Sequence, residues 1–83
     1  METRNKPAHE IRLGRIRVTI WANKTDDQDI WFNATASRLY RDENTWKDST
    51  AFHRDDLPVL AKALDMAYAW IWNRRQAFDP KDA

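Results

Sequence analysis

The stretch Arg15-Ile16-Arg17-Val18-Thr19-Ile20-Trp21-Ala22-Asn23 alternates between apolar and polar side chains. In an extended chain, successive side chains point to opposite sides, so Ile16, Val18 and Ile20 fall together on one side. The polar residues and Trp21 fall on the other side. This period of two predicts a strand that buries one face and exposes the other.

A shorter strand is expected upstream of this stretch. Ile11 and Leu13 continue the same period until Gly14, where the phase shifts by one residue. A β-bulge or a tight bend produces such a shift. We therefore predict a strand from His9 to Leu13, either separate from the second strand or an extension of it.

Two further strands are expected after the polar segment 26–28. Residues 30–41 alternate in the same way as the second strand. The segment Asp42-Glu43-Asn44 has turn composition, and residues 45–52 have the β-branched and aromatic content of a strand. The alternation in this fourth strand is weak, so the sequence leaves its phase open. Short polar connections imply hairpins, and the sheet should therefore be an antiparallel meander.

The period changes from 2 to 3.6 residues after Asp55. We predict a helix from about Asp56 to about Gln76, with Asp55 or its neighbour capping its start and Pro58 tolerated in its first turn. The two adjacent carboxylates also match an acid–base pair, but capping accounts for them more simply. The expected fold class is α+β, with the order β-β-β-β-α.

The predicted helix carries two apolar faces. The broader face, which we expect to lie on the sheet, contains Leu57, Leu60, Ala61, Leu64, Ala67, Tyr68, Ile71 and Trp72. The second face contains Val59, Ala63, Met66 and Trp70. One sheet cannot cover both faces, so we predict a homodimer in which the second face meets the same helix of another copy. Alternatively, the sheet curls around the helix or the N-terminal arm covers it.

Length and composition limit what the chain can be. With 83 residues it has room for one core, and we expect a flexible N-terminal arm over 1–8, a single domain over 9–76 and a flexible C-terminal tail over 77–83. No segment approaches the roughly 18 apolar residues needed to cross a bilayer, which predicts a cytoplasmic protein.

Catalysis and cofactor binding have little support in the sequence. The chain contains no cysteine, a single glycine, and two histidines, His9 and His53, that lie far apart in the sequence. Thiolate metal sites and glycine-rich phosphate loops are therefore excluded, and no set of converging catalytic donors is evident. We expect a binding protein that is not an enzyme and needs neither a metal nor a cofactor.

Basic residues are concentrated near the start of the chain, although the net charge is only +1. Residues 1–24 hold six basic and two acidic side chains, whereas residues 25–54 hold four basic and six acidic ones. A local excess of this size is a weak indication of a polyanionic partner.

The candidate binding surface is the sheet face turned away from the helix. It should combine cations with aromatic rings, namely Arg15, Arg17, Trp21, Trp31, Asn33 and Thr35, together with Lys47 if the fourth strand has the required phase. Arginine and lysine bind phosphates, and tryptophan offers a π-face to an unpaired base. The pattern therefore favours single-stranded nucleic acid. The alternative is a solvated face with cross-strand pairs such as Trp21 against Trp31, which binds nothing.

Two segments carry a resemblance to a known family. The first is Leu13-Gly14-Arg15-Ile16-Arg17-Val18-Thr19-Ile20, and the second is Ala36-Ser37-Arg38-Leu39-Tyr40-Arg41-Asp42, followed after a turn by Asp55-Asp56-Leu57-Pro58-Val59-Leu60. They resemble the single-stranded-DNA-binding domain of the eukaryotic transcriptional coactivator positive cofactor four, over about residues 9–73 and with motifs of low specificity. The chain also looks like short bacterial proteins that share its His-Glu-Ile-Arg-Leu-Gly and Arg-Asp-Asp-Leu-Pro patterns.

This resemblance implies a curved four-stranded sheet, a helix that pairs with its twofold mate, and single-stranded DNA binding along the sheet, as in the related Whirly proteins. By position it assigns the binding role to Arg15, Arg17, Trp21, Trp31, Asn33 and Thr35. Acidic residues in and beside the connections depart from the family pattern, and their carboxylates would repel phosphate. These residues are Asp26, Asp27, Asp29, Asp42, Glu43 and Asp48.

The resulting hypothesis is a homodimer that binds single-stranded nucleic acid with weak sequence preference, in transcription or DNA maintenance. DNA is favoured as the ligand, and RNA is the alternative. The alternative is a protein-interaction module of the same fold, in which the sheet face or an exposed edge strand docks another protein. Salt separates the two, because binding through phosphates weakens steeply as salt rises and a mainly apolar protein interface does not.

Overall fold

The computed structural model describes residues 6–24, 26–27 and 29–78. The strands are β1 (Pro7–Leu13), β2 (Ile16–Lys24), β3 (Ile30–Asp42) and β4 (Thr45–Ser49). A single 3₁₀ turn (Arg54–Asp56) leads into the helix α1 (Leu57–Phe78). The strands form one antiparallel sheet in the order β1-β2-β3-β4. This arrangement confirms the predicted α+β fold class and the β-β-β-β-α order.

The element boundaries differ from the predictions by a few residues. β1 begins at Pro7, within the segment predicted as an arm, and α1 continues to Phe78, within the predicted tail. β4 ends at Ser49 instead of Phe52, and Phe52 packs against the core from the connection to the helix. The remaining parts of the predicted arm and tail, residues 1–5 and 79–83, lie outside the described residues.

Two tight turns set the register of the sheet. β1 and β2 are joined by Gly14 and Arg15, so that Leu13 pairs with Ile16. Gly14 has a φ of 62°, a left-handed conformation that glycine adopts without strain. The phase shift expected at this residue is therefore a tight bend. Glu43 has a φ of 59° in the equally short β3–β4 turn.

The core lies between β1, β2 and the helix. Ile16, Val18 and Ile20 are at most 1% exposed, as the alternation in this strand predicts. Ala63 and Ala67 of α1 are buried against the same cluster. Each of the large aliphatic side chains contributes roughly 1.5–3 kcal/mol to folding through burial.

The helix lies on the sheet with a face that coincides only in part with the predicted one, since Leu60, Ala67 and Ile71 pack there as expected. Its buried face is rotated by roughly a quarter turn from the predicted face. The residues that flank Ala63 and Ala67 against the core are Val59, Leu60, Trp70 and Ile71. Four residues expected on the sheet are instead 43% to 64% exposed, and these are Leu57, Leu64, Tyr68 and Trp72. Small alanine side chains allow the helix backbone to approach the strands closely, whereas the larger residues then fit only beside the contact.

This rotation corrects the residues predicted for a dimer interface. Ala63 is completely buried within its own chain and cannot contact a second copy. Val59 and Trp70 pack partly against the core, and Met66 is the exposed member of the set. Five exposed apolar residues of α1 form a continuous stripe, which we call the helix stripe and which comprises Leu57, Ala61, Leu64, Tyr68 and Trp72.

Trp70 anchors the other end of the helix to β1. The ring of His9 stacks on it at a centroid distance of 5.0 Å and an interplanar angle of 4°. Phe32 meets the indole edge-on at 5.6 Å, and the guanidinium of Arg74 lies 4.4 Å from its centroid. Stacking and cation–π contacts of this kind add to the energy of burial and fix the ring.

The molecule is thin for its length. Its principal-axis extents are 48 × 35 × 15 Å and its radius of gyration is 15.2 Å. A compact domain of this size would have a radius of gyration of about 12 Å. The protein is therefore a two-layer slab in which one helix covers only part of a long sheet.

Candidate functional site

Cross-strand register defines the sheet face opposite α1. Arg17 and Thr19 alternate with the buried residues of β2 and therefore face away from the helix. Directly paired residues lie on the same side of a sheet, so the cross-strand partners of Arg17 and Thr19 face away from the helix as well. We call this surface the outer face. It comprises Glu10, Arg12, Arg17, Thr19, Trp21, Asn23, Trp31, Asn33, Thr35, Ser37, Leu39, Arg41, Trp46 and Asp48.

Five of the seven predicted binding residues share the outer face. Arg17 and Trp21 come from β2, and Trp31, Asn33 and Thr35 come from β3. Asn33 pairs directly with Trp21, and Trp31 pairs with Asn23, so the two indoles are diagonal neighbours.

The other two predicted residues lie elsewhere. Lys47 pairs with Tyr40 on the helix side of the sheet, and its Nζ donates to Oδ2 of Asp42 at 3.1 Å. The reason is the short β3–β4 turn, which pairs Asp42 with Thr45 and thereby fixes the phase of β4. Arg15 lies in the β1–β2 turn instead of a strand, at the rim of the outer face.

Hydrogen bonds hold the polar side chains around Trp21. Its Nε1 donates to Oγ1 of Thr35 at 3.1 Å, and Nδ2 of Asn23 donates to Oδ1 of Asn33 at 3.2 Å. Trp21 is half-buried, whereas Trp31 is 47% exposed. Thr35 and Asn33 therefore position their neighbours, and Trp31 presents the larger open ring surface.

A cleft with basic side chains lies at the other end of the outer face. Its volume is about 470 Å³, and its lining residues are Arg12, Gly14, Arg15, Arg17, Leu39 and Trp46. Arg12 pairs directly with Arg17 across the strands. The Trp46 side chain is 64% exposed, and the guanidinium of Arg41 lies 5.8 Å from its ring centroid. The cleft thus combines several cations with one exposed indole.

Sequence reasoning missed three of these residues. Arg12 could have been assigned, because Ile11 and Leu13 on the apolar side of β1 place it on the opposite side. Arg41 could have been assigned in the same way, because it continues the alternation of Trp31, Asn33 and Thr35 along β3. Trp46 depends on the phase of β4, which is set by the two-residue turn and not by the weak alternation of the strand itself.

The outer face also carries negative charge. Oδ1 of Asp48 accepts a hydrogen bond from Nη2 of Arg17 at 2.6 Å and another from Oγ of Ser37 at 3.3 Å. Glu10 lies on the same face, opposite Thr19. These carboxylates offset part of the positive charge that the arginines supply.

Asp56 connects the helix start to the β1–β2 turn. Its carboxylate is buried and accepts hydrogen bonds from Nε of Arg15 at 3.3 Å and from the backbone N–H of His53 at 3.2 Å, with Nε of Arg38 at 3.7 Å. Burial alone would raise the pKa of Asp56, but the bonds from His53 and Arg15 outweigh it and hold that pKa below its usual value. Asp56 therefore contributes to the cap from the third position of the 3₁₀ turn, and the N-cap residue is His53 instead of the predicted Asp55 or its neighbour.

No protein-family model, curated protein or solved structure matches the chain. Within the described ranges, no three His, Cys, Asp or Glu side chains lie close enough together to hold a metal ion. The same residues include no helix that is long and apolar enough to span a membrane.

Proposed function

We propose that the outer face binds single-stranded nucleic acid with weak sequence preference. The observation that carries this proposal is the combination of three indoles with several arginines on one polar sheet face. The indoles are Trp21, Trp31 and Trp46, and the arginines are Arg12, Arg17 and Arg41. Arginine neutralises phosphates, and each base that stacks on an aromatic ring contributes roughly 1–3 kcal/mol.

The order of these residues along the sheet suits an extended strand. Trp21 and Trp31 lie at one end, the Arg12–Arg17 pair lies in the middle, and Arg41 with Trp46 lies at the other end. From Asn33, which faces Trp21, to Arg41 is eight residues of β3, or about 26 Å at 3.3 Å per residue. A duplex would hide the base faces that the indoles require, so the arrangement favours unpaired bases.

Weak sequence preference is expected because polar side chains of the outer face already form hydrogen bonds with one another. Asn33 and Thr35 accept hydrogen bonds from Asn23 and Trp21, respectively. These bonds engage the acceptor oxygens of both side chains, which leaves fewer groups to read base edges, whereas stacking tolerates every base. The resemblance to the positive-cofactor-four family favours DNA over RNA and a role in transcription or DNA maintenance.

We further propose that the protein works as a homodimer through the helix stripe. Leu57, Ala61, Leu64 and Tyr68 follow one another at intervals of four, three and four residues, the spacing of helix–helix seams. The stripe is exposed in the single chain, and the thin slab has too little core to be compact alone. A second copy offers an identical stripe, so a twofold contact would bury both.

The second candidate function is a protein-interaction module that uses the outer face. The observation that favours it is the presence of Asp48 and Glu10 among the arginines, since mixed charge suits a protein surface better than a polyphosphate backbone.

Titration of a fluorescently labelled oligo-dT of about 20 nucleotides, followed by anisotropy, tests the proposal. If Arg12, Arg17 and Arg41 each contact one phosphate, the logarithm of the binding constant should fall with the logarithm of salt with a slope of about −2. A matched duplex should bind more weakly. Saturable binding with a slope near zero would favour the protein-interaction alternative, and no binding at low salt would exclude nucleic acid as the ligand.

Two neighbouring residues of β4 provide a matched pair of variants. Trp46→Ala removes an outer-face indole and should weaken binding by about 1–3 kcal/mol. Lys47→Ala removes a cation from the helix side of the same strand and should have little effect. Equal losses in the two variants would contradict the assignment of the outer face.

A further inference from the structure

Two donors of the outer face converge on a single carboxylate oxygen. Nη2 of Arg17 and Oγ of Ser37 both donate to Oδ1 of Asp48, at 2.6 and 3.3 Å. Arg17 and Ser37 are direct cross-strand partners on β2 and β3, so the regular part of the sheet fixes their separation. Asp48 reaches them from β4, the strand at the edge of the sheet.

We propose that Arg17 and Ser37 form a phosphate subsite, which the Asp48 carboxylate occupies in the unbound protein and from which a phosphodiester displaces it. This inference rests on the proposed function and adds to it a specific contact and a competing group. The ligand chemistry is that of a phosphate oxygen, which like the carboxylate oxygen is anionic and accepts hydrogen bonds from several donors.

The surroundings of the subsite suit a phosphate. Arg12 lies directly opposite Arg17 and supplies a second cation, and both residues line the open cleft beside Trp46. A phosphate bound to Arg17 and Ser37 would therefore leave the attached nucleoside close to an exposed indole. A site with a cation, a hydroxyl and a neighbouring stacking ring has the elements of nucleotide recognition.

Displacement of Asp48 should meet little resistance. Its side chain is 50% exposed, and exposed ion pairs contribute little to stability because water screens them. The carboxylate can rotate into solvent without disturbing the core, which lies on the other side of the sheet. Asp48 would then lower the affinity for phosphate, both by competing for the two donors and by repelling the incoming charge.

Asp48→Asn tests this competition, and Asp42→Asn is its control. Both variants remove one negative charge from the β3–β4 hairpin at side chains that are 50% and 52% exposed, and both residues accept a bond from a cation. Asp42, however, forms its ion pair with Lys47, on the helix side of the sheet. We expect D48N to bind oligo-dT about two- to fivefold more tightly than the unmodified protein, and D42N to bind almost unchanged.

A double-mutant cycle locates the effect. In an Arg17→Ala background, D48N should lose most of its gain, because the donor for which Asp48 competes is absent. A gain that is equal in D48N and D42N, or that persists without Arg17, would show a general charge effect and overturn the subsite.

Inorganic phosphate provides a probe that does not depend on nucleic-acid binding. Titrated into the isotope-labelled protein, it should shift the NMR signals of the Ser37 amide and the Arg17 side chain more strongly in D48N than in D42N. If these shifts occur but oligo-dT does not bind, the subsite stands and the proposed function fails. If oligo-dT binds but neither probe distinguishes D48N from D42N, the proposed function stands and the subsite fails. If neither probe binds, both are refuted.

Discussion

Adjacent substitutions in α1 test the orientation of the helix. Ala63 is completely buried in the core cluster with Ile16 and Ile20, whereas Leu64 is 43% exposed on the helix stripe. Ala63→Leu adds three carbons at a contact that is already closed. Overpacking of this kind costs about 1–3 kcal/mol, a large part of the roughly 4–12 kcal/mol expected for a domain of this length.

Leu64→Ala should behave differently. In the single chain it removes carbons that are already partly in water, so the loss should be smaller than the roughly 2–5 kcal/mol of a buried leucine. If the helix stripe forms a homodimer, the loss should also depend on protein concentration, because the stability of a dimer follows mass action. Ala63→Leu should lower stability at every concentration.

Urea and thermal unfolding, each at two well-separated protein concentrations, measure these effects. A loss of about 2 kcal/mol in Ala63→Leu corresponds to a decrease in Tm of about 8–16 °C. The opposite result, with Ala63→Leu neutral and Leu64→Ala costing several kcal/mol at all concentrations, would mean that the leucine side of α1 faces the sheet. The described orientation of the helix would then be wrong.

Two further predictions concern charge and backbone conformation. Because the pKa of Asp56 is lowered in the folded state, its contribution to stability is present above the usual value of 3.8 and is lost as the pH falls through the lowered pKa. Asp56→Asn should therefore be less stable at neutral pH, and its stability should change less between neutral and acid pH; equal pH profiles would contradict this. Glu43→Gly should stabilise by about 0.5–1 kcal/mol, because Glu43 has a positive φ, while Gly14→Ala should destabilise by about 1–2 kcal/mol in the same denaturation assay.

The sheet could be predicted from the sequence because the alternation of apolar and polar residues shows which side of a strand is buried. Apolar residues stand at every second position of β2, at Ile16, Val18 and Ile20, so only one side of this strand can be buried in a core. The irregularity at Gly14 could be located in the same way, since the phase of the alternation changes there, but the sequence left a bulge and a tight bend as alternatives.

The orientation of the helix could not be predicted in the same way. Two apolar faces compete on α1, and hydrophobicity alone favours the face with Leu57 and Leu64 over the face with Ala63. The face that is buried lies between these two and combines Ala67 of the first with Ala63 of the second. The structure buries the alanines because close approach of the backbone gains dispersion contacts along the whole element. Such a gain depends on the shape of the opposing sheet, which the helix sequence does not contain.

The residues that β4 contributes to the outer face could not be predicted either, because they depend on the register of that strand. Lys47 was predicted on the outer face and lies on the other one, and Trp46 lies where Lys47 was expected. A shift of one residue exchanges the two faces of a strand, so the five-residue β4 depends entirely on the length of the preceding turn.

The distribution of the five tryptophans has an optical consequence. Trp21, Trp31 and Trp46 lie on the outer face, Trp72 lies on the helix stripe, and Trp70 lies between His9 and Phe32 at the edge of the core. Quenching by a nucleobase, burial by a second copy and loss of the folded core would each change the emission of a different subset. Single Trp→Phe variants would therefore separate ligand binding, self-association and unfolding by intrinsic fluorescence, without an attached dye.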